Sequence, residues 1–331
     1  MPRSPSYPPG TETCLKIGGY VRFKVEGVSS VGDDYGRDFV GNIDGDDYQL
    51  QSRVRVRLDF DAREETELGM LRAFARVQAT NTFGNGDQNY SMDMGYIQLG
   101  GLTMGYLDSL FTSDDGLLTD TDLAIGDIQR NQLRYTYAAD GFSAAVSFED
   151  DASGDWRPGV VGQLKYEGGW GYVYAAGAYE NSVRSFNRAT NFNFGVDGFG
   201  GDDSFVLKGG LSLKDLVATD SVLKFEGSYA FDPSSYSTIG LFSVNRAAPI
   251  VTGAFDFNGT DSVLGTVPVE WQVGAGYKQG FGKLEAGLSG AYGETFDFFG
   301  PGGAVLGTSR VAAGSADNYK LVGNEIGRAH V

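Results

Sequence analysis

A nearly unbroken alternation of apolar and polar residues is the feature that most constrains this chain. In residues 49–61, almost every second side chain is apolar, and the positions between them carry Gln, Arg or Asp. Successive side chains of a β-strand point to opposite faces, so this period of two predicts a strand with one apolar and one charged face. The apolar positions are Leu50, Val54, Val56, Leu58 and Phe60, and the polar positions are Gln51, Arg53, Arg55, Arg57, Asp59 and Asp61.

The charged face of this strand has two interpretations. In a soluble sheet, the apolar face would pack on a core and the arginines would face water. In a membrane barrel, the apolar face would meet lipid and the arginines would line an aqueous lumen. The same alternation recurs between glycine-rich turns, and no amphipathic helix of convincing length interrupts it. The sequence therefore favours an all-β chain that forms a transmembrane antiparallel β-barrel.

About fourteen strands can be assigned from the alternation. The first spans residues 15–26, and the last begins at Asn318. A short charged turn at residues 63–67 precedes a strand at residues 68–80, and long polar loops alternate with such short turns along the chain. An antiparallel sheet of this size removes its unpaired edges by closing on itself.

Composition excludes several other classes of protein. The net charge is −17 and the pI is about 4.4, so the chain is not expected to bind nucleic acid, which requires a clustered basic surface. No apolar run of about 18 residues occurs, which excludes helical membrane spans. No Pro/Ser-rich linker divides the chain. We therefore expect one domain over residues 1–331, with a lead-in at residues 1–14.

Residues that support catalysis or metal binding are scarce. The one histidine is His330, near the chain end, and the one cysteine is Cys14, so no intrachain disulfide can form. The nucleophile motif Gly-x-Ser-x-Gly of many hydrolases does not occur. The sequence therefore predicts no enzyme, no catalytic residue, no metal site and no cofactor.

The arginines on polar strand faces are the candidate functional residues. Like charges that crowd one face repel each other, and they persist where water and opposing charge screen them. An aqueous lumen meets that condition, so we expect these arginines to line it. The candidates are Arg22, Arg53, Arg55, Arg57, Arg72, Arg76 and Arg134.

Several segments resemble the alphaproteobacterial general porins of the Brucella and Rhizobium type. Residues 9–22, PGTETCLKIGGYVR, resemble the N-terminal signature of that family and are highly specific. Three further segments follow in the family's order, at residues 65–69, 95–102 and 141–144. The resemblance runs from about residue 9 to about residue 325 and is weakest in the long loops.

The resemblance implies an integral outer-membrane barrel of a Gram-negative bacterium, with sixteen antiparallel strands, short periplasmic turns and long outer loops. It also implies a homotrimer embedded in outer-membrane lipid that passes small hydrophilic solutes and ions by passive diffusion. A third loop folds into the pore in this family, and residues 109–128 take that position here. Its acidic residues would face the arginines and favour cations weakly. They are Asp114, Asp115, Asp120 and Asp122.

The chain departs from the family at both ends. Family members carry a second cysteine upstream, which residues 1–6 do not supply, so the usual N-terminal disulfide is not expected here. The family also closes with two more strands and a terminal aromatic residue, whereas this chain ends with residues 325–331. Translation of a common sequencing adapter gives those seven residues. We therefore expect a non-native tail and about fourteen of the sixteen strands.

Other functions stay open from the residues alone. A specific channel would need a dense aromatic track along the lumen, whereas the aromatic residues mostly fall on apolar faces or near strand ends. A structural or adhesive outer-membrane barrel would have a plugged lumen. An outer-membrane hydrolase would need the motif and histidine that are missing. We expect a passive diffusion channel, with the structural barrel as the alternative.

Overall fold

The three-dimensional structure is a computed structural model. It describes residues 13–29, 48–82, 89–112, 117, 128–150, 156–181, 195–196, 203–241, 265–282, 284–296, 298–299, 305–307 and 310–321. All regular secondary structure in these ranges is β-strand. Within the same ranges, no helix is both long enough and apolar enough to cross a membrane.

Eighteen strands occur in the described residues. In chain order they are β1 (Cys14–Ser29), β2 (Tyr48–Thr66), β3 (Gly69–Thr82), β4 (Ser91–Leu99), β5 (Leu102–Asp108), β6 (Gln129–Ala139), β7 (Phe142–Glu149), β8 (Gly159–Gly168), β9 (Gly171–Glu180), β10 (Gly195–Val196), β11 (Ser204–Lys214), β12 (Ser221–Ala230), β13 (Thr238–Leu241), β14 (Gly265–Phe281), β15 (Leu284–Thr295), β16 (Phe298–Phe299), β17 (Val305–Gly307) and β18 (Arg310–Leu321).

Fourteen of these strands form one continuous antiparallel path. The path runs β1 to β9 and then β11, β12, β14, β15 and β18. The short strand β13 pairs with β14, and β10, β16 and β17 form a separate three-stranded sheet. Within the residues described, no ladder joins β1 to β18, which are the two ends of the path.

The prediction of an all-β antiparallel chain with about fourteen main strands is confirmed. Two predicted boundaries differ most from the structure. The last main strand begins at Arg310 rather than Asn318, because its first half consists mostly of small residues, whose alternation has little contrast. The predicted charged turn is also shorter, since residues 63–66 continue β2 and only residues 67–68 turn. The four short strands β10, β13, β16 and β17 were not predicted.

Short and long connections lie at opposite ends of the main sheet. Two-residue turns connect β2 to β3, β4 to β5, β6 to β7 and β8 to β9. Between β6 and β7, Asp140 (φ 49°) and Gly141 (φ 81°) both have positive φ, as a type I′ turn requires. Neighbouring strands are antiparallel, so all four turns lie at one end of the sheet. The longer connection from β5 to β6 therefore begins at the other end.

The polarity of the two sheet faces is the reverse of that in a soluble protein. Large apolar side chains are exposed along one face, among them Phe23 on β1 and Leu164 on β8, which are 67% and 55% exposed. The opposite face carries buried polar side chains, such as Gln132 on β6 and Ser147 on β7. Soluble proteins bury their large apolar residues. An apolar outer face with a polar inner face is the pattern of a barrel in lipid.

Candidate functional site

Five of the predicted arginines lie on the polar inner face of β1, β2 and β3. Arg22 of β1 is directly opposite Arg55 of β2, and Arg57 is two residues further along β2 on the same face. Arg76 of β3 is opposite Asp59 of β2, and Arg72 is four residues before it on the same side of β3. Because opposite residues in an antiparallel pair share a face, these side chains form one charged surface. We call this surface the arginine face.

Aspartates of the same strands neutralise part of the arginine face. Asp61 accepts paired hydrogen bonds from two guanidinium groups, with Arg72 Nε 3.0 Å from Oδ1 and Arg63 Nη2 2.8 Å from Oδ2. Asp59 accepts a hydrogen bond from Arg76 Nε at 2.8 Å. Paired guanidinium–carboxylate contacts fix both position and orientation. The paired contacts with Asp61 therefore fix the orientation of Arg63 and Arg72.

A third carboxylate, that of Asp93 on β4, joins the arginine face. Its Oδ2 lies 3.5 Å from Arg57 Nη2 and 3.7 Å from Arg76 Nη1. Sequence reasoning did not single out Asp93, which lies near the start of β4. A register shift in the β3–β4 ladder at Arg76 also breaks the strict alternation there.

Aromatic rings separate the guanidinium groups. The rings of Phe74 and Tyr96 are stacked at 5.1 Å, and Arg72 Cζ lies 5.2 Å from the first ring centroid and 5.4 Å from the second. Arg57 Cζ lies 5.2 Å from the ring of Tyr20. Such cation–π contacts are favourable and restrict the guanidinium plane. The arginine face is therefore an ordered array of charged and aromatic groups.

Neutral oxygens from β3 complete the contacts of two arginines. Arg55 Nε donates a hydrogen bond to Thr80 Oγ1 at 3.1 Å. Arg57 Nη2 donates to Gln78 Oε1 at 3.0 Å. Both acceptors lie directly opposite their donors in the β2–β3 ladder, so the strand register itself positions these side chains.

The remaining predicted residues are placed differently or lie outside the described ranges. Arg53 is opposite Lys24 in the β1–β2 ladder. Arg134 lies on β6, separated from β3 by β4 and β5, and its Nη2 donates to the backbone oxygen of Asp108 at 2.7 Å. The opposition between the arginines and the acidic loop stays a prediction. The aspartates outside the described residues are Asp114, Asp115, Asp120 and Asp122.

The described start of the 109–128 connection packs on the inner face of β8, β9, β11 and β12. Leu110 and Phe111 are buried, with 2% and 0% of their surfaces exposed. Burying an aromatic and an aliphatic side chain removes apolar surface from water. The residues that share this apolar cluster are Val161, Ala176, Ala178, Val206, Ala230 and Tyr236.

A fully buried carboxylate, Glu149 at the end of β7, fixes this segment. It accepts hydrogen bonds from Ser109 Oγ at 2.7 Å and from the Leu110 backbone nitrogen at 2.9 Å. Ser147 Oγ and the Tyr236 hydroxyl donate to it as well, at 2.6 Å and 3.2 Å. Burying a carboxylate is costly unless donors replace water. Four donors offset that cost and bind the segment to the wall.

A second buried carboxylate, Glu180 at the end of β9, fixes the connection between β12 and β13. It accepts hydrogen bonds from Ser234 Oγ and the Ser235 backbone nitrogen, both at 2.9 Å. The neighbouring Tyr236 packs edge-on against Phe111, with ring centroids 5.7 Å apart. Burial raises the pKa of Tyr236, so its hydroxyl remains a donor. We call Glu149, Glu180 and the groups bound to them the buried anchor.

Leu117 lies near the far part of the sheet. A Cβ atom at Gly274 of β14 would be 2.7 Å from Leu117 Cδ1. Along the sheet, β14 is separated from β6 by β7, β8, β9, β11 and β12. The connection that starts after β5 therefore reaches a distant strand of the inner face.

The family comparison agrees with this geometry. A family model described as the Porin subfamily matches residues 6–299. The chain belongs to this porin family. The predicted family resemblance is thereby confirmed, and the protein is, like other members, an integral barrel of the Gram-negative outer membrane.

Curated relatives of this porin are found in Brucella. Porin Omp2b of Brucella suis is 32% identical over 208 residues, which cover 54% of this chain and 55% of that protein. Porin Omp2b of Brucella melitensis has the same identity and coverage. The chain thus spans about half the length of the curated relatives it matches.

Solved structures share the fold of this porin. The outer membrane channel DcaP of Acinetobacter baumannii has a TM-score of 0.56 and 14% identity, and the match covers 95% of this chain and 100% of that one. Salmonella typhi OmpF, solved in complex with daunomycin, has a TM-score of 0.51 and 11% identity, with coverage of 92% and 98%. At these identities the likeness concerns the fold alone, and both neighbours are outer-membrane barrels.

Proposed function

We propose that this porin forms a water-filled channel through which small hydrophilic solutes and ions diffuse passively across the outer membrane. The reversed polarity of the sheet carries the proposal, because a charged inner face is useful in a barrel only where water reaches it. Passive conduction needs no cofactor and no chemical step. The protein therefore acts as a channel and not as an enzyme.

The arginine face supplies the wall that solutes pass. Selectivity in such channels depends on pore width and on the charges that line the pore. Arg22, Arg55, Arg57, Arg72 and Arg76 project from adjacent strands, and the aspartates bound to some of them set positive and negative charge side by side. A dipolar solute would align with this local field, and an apolar solute would lose ordered water without compensation.

We include residues 109–128 in the proposal as the constriction of the channel. The docking of Leu110 and Phe111 on the inner face and the approach of Leu117 to Gly274 support an inward path for this connection. Its aspartates would then oppose the arginine face across the lumen. Charge balance at that narrow point, rather than the total charge of −17, would set ion preference.

A homotrimer in outer-membrane lipid completes the proposal. The resemblance to general porins supports this assembly. Electrophoresis without boiling tests it, because a trimer should migrate as one heat-modifiable species of about three times the monomer mass. A single monomeric band before and after heating would contradict the trimer and leave the channel proposal untouched.

Single-channel recording in a planar bilayer tests the channel directly. The porin is expected to give stepwise openings in groups of three, with a current that rises with salt concentration. A reversal potential measured across a salt gradient reports the ion preference. Stable insertion without conductance would contradict the proposed function.

One alternative has an observation in its favour. The inner face of β8, β9, β11 and β12 is covered where Leu110, Phe111 and Tyr236 pack on it, as it would be throughout a plugged structural or adhesive barrel. Liposome swelling separates the two functions. An open porin admits a small sugar and the vesicles swell, whereas a plugged barrel inserts without admitting it.

A further inference from the structure

Two arginines lie directly opposite each other in the β1–β2 ladder, and neither forms an ion pair with a carboxylate among the residues that the structure describes. Arg22 of β1 is directly opposite Arg55 of β2 on the arginine face. The Cβ atoms of directly opposed residues are about 5 Å apart, and like charges in such a pair destabilise a sheet. An anion bound between the two side chains would convert this repulsion into attraction.

The other arginines of this face each have a carboxylate partner. Arg57, Arg72 and Arg76 each form an ion pair with Asp59, Asp61 or Asp93. Among the residues that the structure describes, no ion pair is formed by Arg22 or Arg55. Arg55 donates to the neutral hydroxyl of Thr80, and the guanidinium of Arg22 lies 5.9 Å from the ring of Tyr20.

Charge also changes along the length of these strands. The next opposed pair beyond Arg22 and Arg55 is Lys24 with Arg53. The acids Asp59 and Asp61 lie in the other direction, towards the two-residue turn. Arg22 and Arg55 therefore lie further from the two-residue turn than the carboxylates of Asp59 and Asp61.

We propose that Arg22 and Arg55 form a binding station for a doubly charged oxyanion, with phosphate monoesters as the solute class. This inference rests on the proposed function, because the solute must enter through the lumen. A phosphate group carries a charge of about −1.5 to −2 at neutral pH and offers three acceptor oxygens. Each guanidinium presents a fork of N–H donors that matches two such oxygens.

The geometry favours phosphate over a simple carboxylate or chloride. A carboxylate has two oxygens and satisfies one guanidinium fork, whereas a phosphate group can contact both arginines at once. Arg55 is bound to Thr80 and Arg22 contacts the ring of Tyr20, so part of the conformational entropy cost of ordering these side chains is met before an anion binds. The station therefore selects by charge and by number of oxygens.

Inorganic phosphate is the probe for the test. Single-channel current is recorded in dilute chloride, where screening is weak, while phosphate replaces a bulky inert anion at constant chloride concentration, ionic strength and pH 7. Phosphate should reduce the chloride current in a saturable way. Replacing both arginines (Arg22→Gln with Arg55→Gln) should weaken the apparent phosphate affinity at least about tenfold, since charge-assisted hydrogen bonds are lost.

Three variants keep the test sharp. Arg22→Gln alone changes an exposed side chain and should weaken phosphate binding without affecting folding. Arg55→Lys keeps the charge but loses the fork and should retain only part of the affinity. Lys278→Gln removes an inner-face cation that is paired with Glu285 at 3.2 Å, and it should leave phosphate inhibition unchanged.

The outcomes separate this inference from the proposed function. A chloride current that phosphate does not inhibit, or that it inhibits equally in wild type and the double variant, would overturn the station while leaving the channel intact. An effect of Lys278→Gln as large as that of the double variant would show general electrostatics rather than a site, and would also overturn it. Absence of any chloride current would instead refute the channel.

Discussion

The carboxylates of the arginine face and those of the buried anchor differ in their burial and in their binding partners. On the arginine face, Asp61 is bound by two guanidinium groups, and its partner Arg72 keeps a quarter of its side-chain surface exposed. In the buried anchor, Glu149 is 0% exposed, and its described partners are hydroxyl groups and one backbone N–H. Both regions lie on the inner face of the same sheet.

The difference shows how one sheet face can serve both conduction and structure. Where water remains, opposite charges neutralise each other in place and still present charge to passing solutes. Where a segment covers the wall, neutral donors solvate the carboxylate, and an apolar cluster around Phe111 excludes water. The arginine face thus remains accessible to water, and the buried anchor fixes the segment that covers the wall.

Loss of the ring at Phe111 should cause the largest decrease in the free energy of unfolding. Phe111 is fully buried among β8, β9 and β11, so Phe111→Ala should lower the free energy of unfolding by about 3–5 kcal/mol. Urea unfolding in lipid vesicles measures this. Phe148→Ala removes an outward-facing ring that is 47% exposed and should cost clearly less. Equal losses of unfolding free energy in the two variants would contradict the claim that residues 110 and 111 cover the inner face.

Neutralising Glu149 of the buried anchor should lower the free energy of unfolding by an intermediate amount. Glu149→Gln replaces an oxygen acceptor by an amide donor, so at least one of four buried donors loses its partner, at a cost of about 1–3 kcal/mol. Single-channel current noise should also rise as the segment loosens. Glu167→Gln, at an exposed carboxylate paired with Lys165, is the matched control and should change neither property. Indistinguishable melting of the two variants would argue against an anchor.

Changing the arginine face should have the smallest effect on stability and a clear effect on selectivity. Asp61→Asn should cost only about 0.2–1 kcal/mol, as is typical of partly exposed ion pairs. It leaves Arg63 and Arg72 without their carboxylate, so the reversal potential in a salt gradient should shift towards anions. Asp140→Asn, at an exposed turn, should not shift it. A large loss of stability without a shift of the reversal potential would indicate that Asp61 stabilises the fold and does not set ion selectivity.

Alternation predicted the strands well because it depends on each residue and its immediate neighbours. All fourteen main strands and the shared face of Arg22, Arg55, Arg57, Arg72 and Arg76 follow from a period of two. The last strand was misplaced, since Ala, Gly and Ser give almost no contrast between faces. Local pattern thus predicts which side a residue lies on.

Partners across the sheet could not be predicted in this way. Asp93 reaches Arg57 and Arg76 only through the β3–β4 register, which contains an irregularity that the sequence does not reveal. Glu149 and Glu180 each end a strand, and an acidic residue at an inward position was the available signal. Their role depends on groups 40 to 87 residues away in the chain.

Thiol accessibility at three positions on β3 and β8 is the most direct test of the central claim, that water reaches the arginine face. In a Cys14→Ser background, single cysteines are introduced as Arg76→Cys on the inner face, Ala75→Cys on the outer face, and Val161→Cys under the covering segment. A charged, water-soluble thiol reagent should modify only the first of these and reduce the single-channel current in steps. Equal reaction of the Ala75→Cys variant, or protection of the Arg76→Cys variant, would contradict the account.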